Sequence, residues 1–165
     1  LLASSAASDV YKRQGKAAKQ VVTYCIRNDI GTLVVGYNTT FQRSSDLGRR
    51  MNQVFVGIPF GILRRKLKYL CEMNGIRYVE QEESYTSMAS FWDLDEMPVY
   101  GEAGFVPPVF SGCRICRGLY QDRSGRRINA DVNGALNIMR KCNIVSLRAL
   151  YARGDVDTPV RIRIA

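Results

Sequence analysis

Asp131 stands in the stretch INADVNGALNIMRK, residues 128–141, just after a run of basic residues. A carboxylate in the first turn of a helix satisfies free backbone amides and complements the helix dipole. It is equally suited to hold a divalent cation at a nucleic-acid surface. Asn129 is as good a cap two residues earlier, so Asp131 is not needed for that task, and Ala130, Gly134 and Ala135 around it are small enough for close approach of a substrate or another backbone. Glu82 and Glu83 are a second candidate pair, at the end of the run IRYVEQEES. Metal-assisted phosphodiester cleavage needs carboxylates that converge from different elements, because two cations roughly 3.5–4 Å apart clamp the attacking and leaving oxygens. Such cations take oxygen ligands, and strand ends are where α/β sheets place sites. The residues alone leave both readings open: a capped helix and a solvated strand end, or a ligand set.

Composition narrows the chemistry. The chain has 165 residues and no histidine, which removes Ser-His, Cys-His and His-metal arrangements. Lys and Arg number 24 against 15 acids, a net charge of +9 that points to a polyanionic partner such as nucleic acid. The five cysteines, Cys25, Cys71, Cys113, Cys116 and Cys142, are scattered and odd in number, with no secretion signal, so a reducing, cytoplasmic setting is expected rather than a disulfide framework. Cys113 and Cys116 form CRIC, but a lone CxxC supplies two ligands where structural zinc takes four. No window is apolar enough for a membrane helix.

These residues need elements to position them. Residues 16–28 carry Ala18, Val21, Val22 and Cys25 in a helical stripe, and Thr32 to Asn38 reads as a strand buried on both faces. Residues 39–58 read as a polar connection with a basic patch. A second helix starts at Pro59 and stops before Gly75, with Phe60, Leu63, Leu67 and Leu70 inside and Arg64, Arg65, Lys66 and Lys68 outside. The strand IRYVEQEES follows, so strand, helix and strand imply a parallel pair. Residues 85–127 read as loop, and a last helix begins at Asp131 with Val132, Ala135, Leu136 and Met139 as its buried face. Residues 1–14, LLASSAASDVYKRQ, resemble translated adapter sequence and are set aside; residues 143–165 form a tail without an assignable pattern.

The stretches FVGIPFGILRRKLKYLCEMNGIRYVEQEESYTSMASFWD and RGLYQDRSGRRINADVNGALNIMRK, over residues 15–142, resemble the carboxy-terminal RuvC-like nuclease half of TnpB (OrfB) proteins. These are transposon-encoded RNA-guided DNA endonucleases related to type V CRISPR effectors. The resemblance implies an α/β, RNase H-like (RuvC-like) domain, incomplete at its amino terminus, with an irregular insertion over 85–127 in place of a zinc ribbon. It implies three catalytic acids holding Mg2+ or Mn2+. The third falls on Asp131. The second should follow TLVV, where this chain has Gly36, Tyr37 and Asn38, so the role passes to EESYTS on the neighbouring strand, to Glu83 or Glu82, with Glu83 preferred. Strands about 4.8 Å apart allow long side chains and a cation to close that gap.

Ser90 and Asp93 replace the family's first cysteine pair and YQDRSGRR its second, so zinc is not expected. Arg114, Arg117, Arg123, Arg126 and Arg127, with Arg64, Arg65 and Lys68, are expected to contact nucleic-acid phosphates. The strand bearing the first acid is missing, so the chain is expected to be a fragment, inactive alone, of a nucleoid-associated prokaryotic endonuclease whose partners are DNA and guide RNA. The alternative is a catalytically inactive nucleic-acid-binding protein of the same descent.

Overall fold

The computed structural model describes residues 2–38, 60–99, 108–156 and 159–160, which divide into two compact units. The elements are α1 (Leu2–Arg27), β1 (Thr32–Tyr37), α2 (Phe60–Met73), β2 (Arg77–Glu82), β3 (Cys113–Cys116), β4 (Leu119–Gln121), β5 (Arg127–Asn129), α3 (Ala130–Cys142) and α4 (Arg148–Arg153). β1 and β2 pass from the first unit into the second after Val35 and Val79. The expected basic connection, 39–58, lies outside the described residues.

In the first unit, Ala18, Val22 and Cys25 of α1 meet Leu67 and Cys71 of α2, and Ile76 completes this core. Leu63 and Leu70 pack against it half-buried. Burying an aliphatic side chain of this size stabilises by roughly 1.5–3 kcal/mol. The stripe is narrower than the spacing predicts, because Val21 and Phe60 turn 40% and 37% of their surface outward. The segment set aside above is helical, and buried Gln14 carries the α1 stripe one turn further. Lys66 sits over the Tyr11 ring, 3.3 Å from its centroid, and donates to the Tyr11 carbonyl.

Both helices end in the same way. Asp29 and Gly75 adopt positive φ, 53° and 69°, and the amides of Ile30 and Ile76 bond back to the carbonyls of Cys25 and Cys71. That six-to-one bond closes a helix end and turns an apolar residue inward. Each helix thereby feeds a strand. Arg77 donates to the Gly31 carbonyl and Glu83 to that of Tyr37, at the same offset along both strands, as parallel pairing requires. Every residue of β1 is half-buried, not buried on both faces, because β1 and β2 form a sheet of only two described strands.

The second unit corrects the expectation of an irregular insertion. β3, β4 and β5 form an antiparallel sheet in that order, pairing Arg114 with Tyr120 and Tyr120 with Ile128. Gly118, at φ 80°, makes the tight turn between β3 and β4, and the Asp122 carboxylate holds the next turn through Ser124 and the Arg126 amide. Tyr120, Ile128 and Ala130 are the core, with Val132, Leu136 and Val156 against it. The tail gains a role through Tyr151 of α4, whose ring stacks on Phe91 at 4.8 Å. No described helix is long and apolar enough to cross a membrane.

Candidate functional site

Asn129 caps α3, and its side-chain oxygen accepts the amides of Asp131 and Val132 at 2.9 and 3.1 Å. The Asp131 carboxylate is therefore not required as the cap, and it is exposed in the first turn. The buried face of α3 differs from the expectation. Asn133 and Asn137 are fully buried, whereas Ala135 is exposed. Asn133 accepts the Phe91 amide and donates to the Ala89 carbonyl; Asn137 donates to the carbonyls of Thr86 and Ala89. Two amides one turn apart thus hold the TSMASF turn against the helix. Their i, i+4 spacing was visible in NGALN, but asparagine on an apolar face reads as polar surface until the backbone it satisfies is known.

That turn follows the two glutamates, which have different surroundings. Glu82 takes the Ser84 amide on one carboxylate oxygen at 2.6 Å and Lys141 Nζ on the other at 2.5 Å. Burial raises its pKa, but the bonds from Lys141 and Ser84 outweigh burial and leave it below the ordinary 4.5. Glu83 donates its amide to the Tyr37 carbonyl, and its own carbonyl accepts from Thr86. Its carboxylate oxygen lies in the space that a β-carbon on Gly36 would take, and Ile138 Cδ1 is 2.7 Å from that same point. Gly36 is the first of the three residues, Gly36, Tyr37 and Asn38, over which the resemblance would place the second acid, and the Glu83 carboxylate lies over it. Asp131 precedes Ile138 by about two turns of α3, roughly 10 Å along the axis, on the same helix face. Among the described residues no cluster of three or more His, Cys, Asp or Glu could hold a metal ion.

The basic candidates divide between the units. In the first, Arg65 and Lys68 are exposed on α2 and Arg64 is half-buried. In the second, Arg114, Arg117, Arg123, Arg126 and Arg127 are all exposed on or beside the three-stranded sheet. Arg123 is held by its amide to Asp93 and its guanidinium to the Ser111 hydroxyl, and Arg126 pairs with Asp122 at 3.7 Å.

Where the sequence reading places zinc ligands in related chains, hydrogen bonds tie the loop. Asp95 accepts the amides of Ser90 and Ser111 at 2.8 and 2.9 Å, and Ser90 Oγ accepts the Asp93 amide. Burial raises the Asp95 pKa, but these donors and the nearby Arg140 bring it below its usual value. Asp95 thus ties Ser90 to Ser111 within the insertion. Cys113 and Cys116 are exposed on β3, with free thiols. The bulge between Arg114 and Cys116 puts both cysteines on one face of the sheet.

Residues 60–138 match the family model described as Cas12f1-like, TNB domain. That region spans α2, β2, the three-stranded sheet and most of α3. The mixed α/β fold is similar to a chain solved in a cryo-EM structure of the Cas12f1–sgRNA–target DNA complex, with TM-score 0.55 and 19% identity. The similarity covers 83% of this chain and 35% of the Cas12f1 chain. No curated protein matches the sequence.

Proposed function

We propose that this chain carries the nuclease part of an RNA-guided DNA endonuclease of the TnpB and Cas12f1 kind, with an RNase H-like core. One observation carries the reading: Glu83 lays its carboxylate over Gly36 and beside Ile138, which shares a helix face with Asp131. Asp131 and Glu83 would hold a magnesium or manganese ion, and an oxygen-only donor set suits such hard cations. The ion would supply charge stabilisation at the phosphodiester being hydrolysed. Glu82, bonded to Lys141 and Ser84, positions the strand end instead. Arg65, Lys68, Arg114, Arg117, Arg123 and Arg127 bind phosphates and orient the strand.

The Cas12f1 chain is solved with sgRNA and target DNA, which supports guide RNA and DNA as partners. The 35% share of that chain supports reading this one as part of a longer protein. The test is magnesium-dependent DNA cleavage by the intact protein with its guide RNA. Asp131→Ala and Glu83→Ala should abolish cleavage while Glu82→Ala retains it. Wild-type cleavage by Asp131→Ala would overturn the reading. Guided DNA binding with no cleavage by the unsubstituted protein would favour the inactive alternative.

A further inference from the structure

Trp92, Arg126, Arg127, Val132, Gly154 and Asp155 line a cleft of about 390 Å³, within the range of small-ligand pockets. Its lining includes neither Glu83 nor Asp131. Arg126 is the organising group. Its guanidinium lies over the Trp92 ring, 4.6 Å from the centroid, donates to the Gly154 carbonyl at 3.4 Å and pairs with Asp122. Three contacts on three segments hold one planar cation. A guanidinium backed by an indole can accept a second flat ring on its free side, as unstacked bases are accepted on arginine planes.

The other polar groups define what that ring carries. Asp155 is acceptor-only, so it repels phosphate and takes N–H donors from a ring edge. Arg127, exposed on β5, supplies a cation suited to an anionic tail. A planar heterocycle with adjacent N–H donors and a phosphate meets all three demands, and guanine offers two such donors side by side. We propose that this cleft binds a single unpaired nucleotide, with its base on the Arg126 plane, its N–H edge toward Asp155 and its phosphate toward Arg127. The site needs neither the metal nor the acids of the proposed nuclease.

Trp92 is the sole tryptophan, so its emission reports directly on the cleft. The 165-residue chain is titrated with guanosine monophosphate and, separately, with ribose 5-phosphate, both without metal. A saturable change in emission is expected with the nucleotide only, and about tenfold weaker binding is expected in Arg126→Ala and in Asp155→Ala. Where Arg126→Ala alters the emission of the unliganded protein, Arg126→Lys decides the matter, since it keeps the charge and removes the plane. No saturable response, an equal response to ribose 5-phosphate, or unchanged binding in the arginine and aspartate variants would overturn the assignment. The titration involves no cleavage, so its failure leaves the nuclease reading standing, and loss of cleavage leaves this one standing.

Discussion

The carboxylate of Glu83 occupies the space a β-carbon on Gly36 would need, so a side chain on β1 and this carboxylate exclude one another. The obstructing atoms are the tips of two flexible side chains, Glu83 and Ile138, so both can swing away at modest cost. Gly36→Ala should therefore cost only about 1 kcal/mol in stability. It should displace the carboxylate, however, and lower cleavage by the intact protein by about 100-fold. A urea midpoint and a cleavage rate measured on the same variant test this; cleavage at the unsubstituted rate would contradict it.

Asn133 and Asn137 are buried among backbone groups that have no water to turn to. Asn133→Ala leaves the Phe91 amide without its partner and removes one donor to Ala89. A loss of about 1–3 kcal/mol is expected for each asparagine. Urea denaturation of the single and double alanine variants measures it, and a loss under about 0.5 kcal/mol for the double variant would contradict the clamp.

The Glu82–Lys141 pair predicts an acid-side dependence. Because the folded-state pKa of Glu82 lies below its ordinary 4.5, the pair contributes stability above that pH. That contribution falls away as pH drops through the folded-state value. Lys141→Met should lower the stability at pH 7 and flatten the fall below about pH 4.5. Parallel acid limbs for the two proteins, followed by denaturant midpoint against pH, would refute it.

Tyr120 predicts the opposite limb. Burial, with Asp95 and Asp93 nearby, pushes its phenol from 10.0 up to about 12. Its hydroxyl donates to the Met88 carbonyl from inside the core. A folded-state pKa above the unfolded one gives stability that is complete below pH 10 and declines between about 10 and 12. Tyr120→Phe should lose the hydrogen bond at pH 8, costing roughly 1 kcal/mol, and show a shallower alkaline decline. An identical alkaline limb in the variant would contradict this.

Much of the frame was legible in the sequence. Pro59 and Gly75 bracket α2, and apolar spacing finds α1, because a helix stripe repeats over several turns. Asn129 announces the cap of α3, as its side-chain bonds require. β3, β4 and β5 escaped because they are three or four residues long, too short for an alternation to register, and are separated by turns built on Gly118 and Gly125. The buried asparagines escaped because their partners are the backbone of a distant turn. The different surroundings of Glu82 and Glu83 escaped for a similar reason: the lysine that engages Glu82 belongs to the far end of α3. The residues alone do not separate Glu83 from Glu82, since both stand side by side at the same strand end.

The most direct test of a cation shared by Glu83 and Asp131 is metal-specificity exchange in the intact, guided protein. Glu83→Cys and Asp131→Cys each replace an oxygen ligand by sulfur, which binds magnesium poorly and softer divalent ions well. Both variants should be inactive in Mg2+ and regain DNA cleavage when Mn2+ or Cd2+ is supplied, while Glu82→Cys should cleave in Mg2+ without exchange. Full Mg2+-supported cleavage by either Glu83→Cys or Asp131→Cys, or an exchange of metal preference confined to Glu82→Cys, would contradict the account.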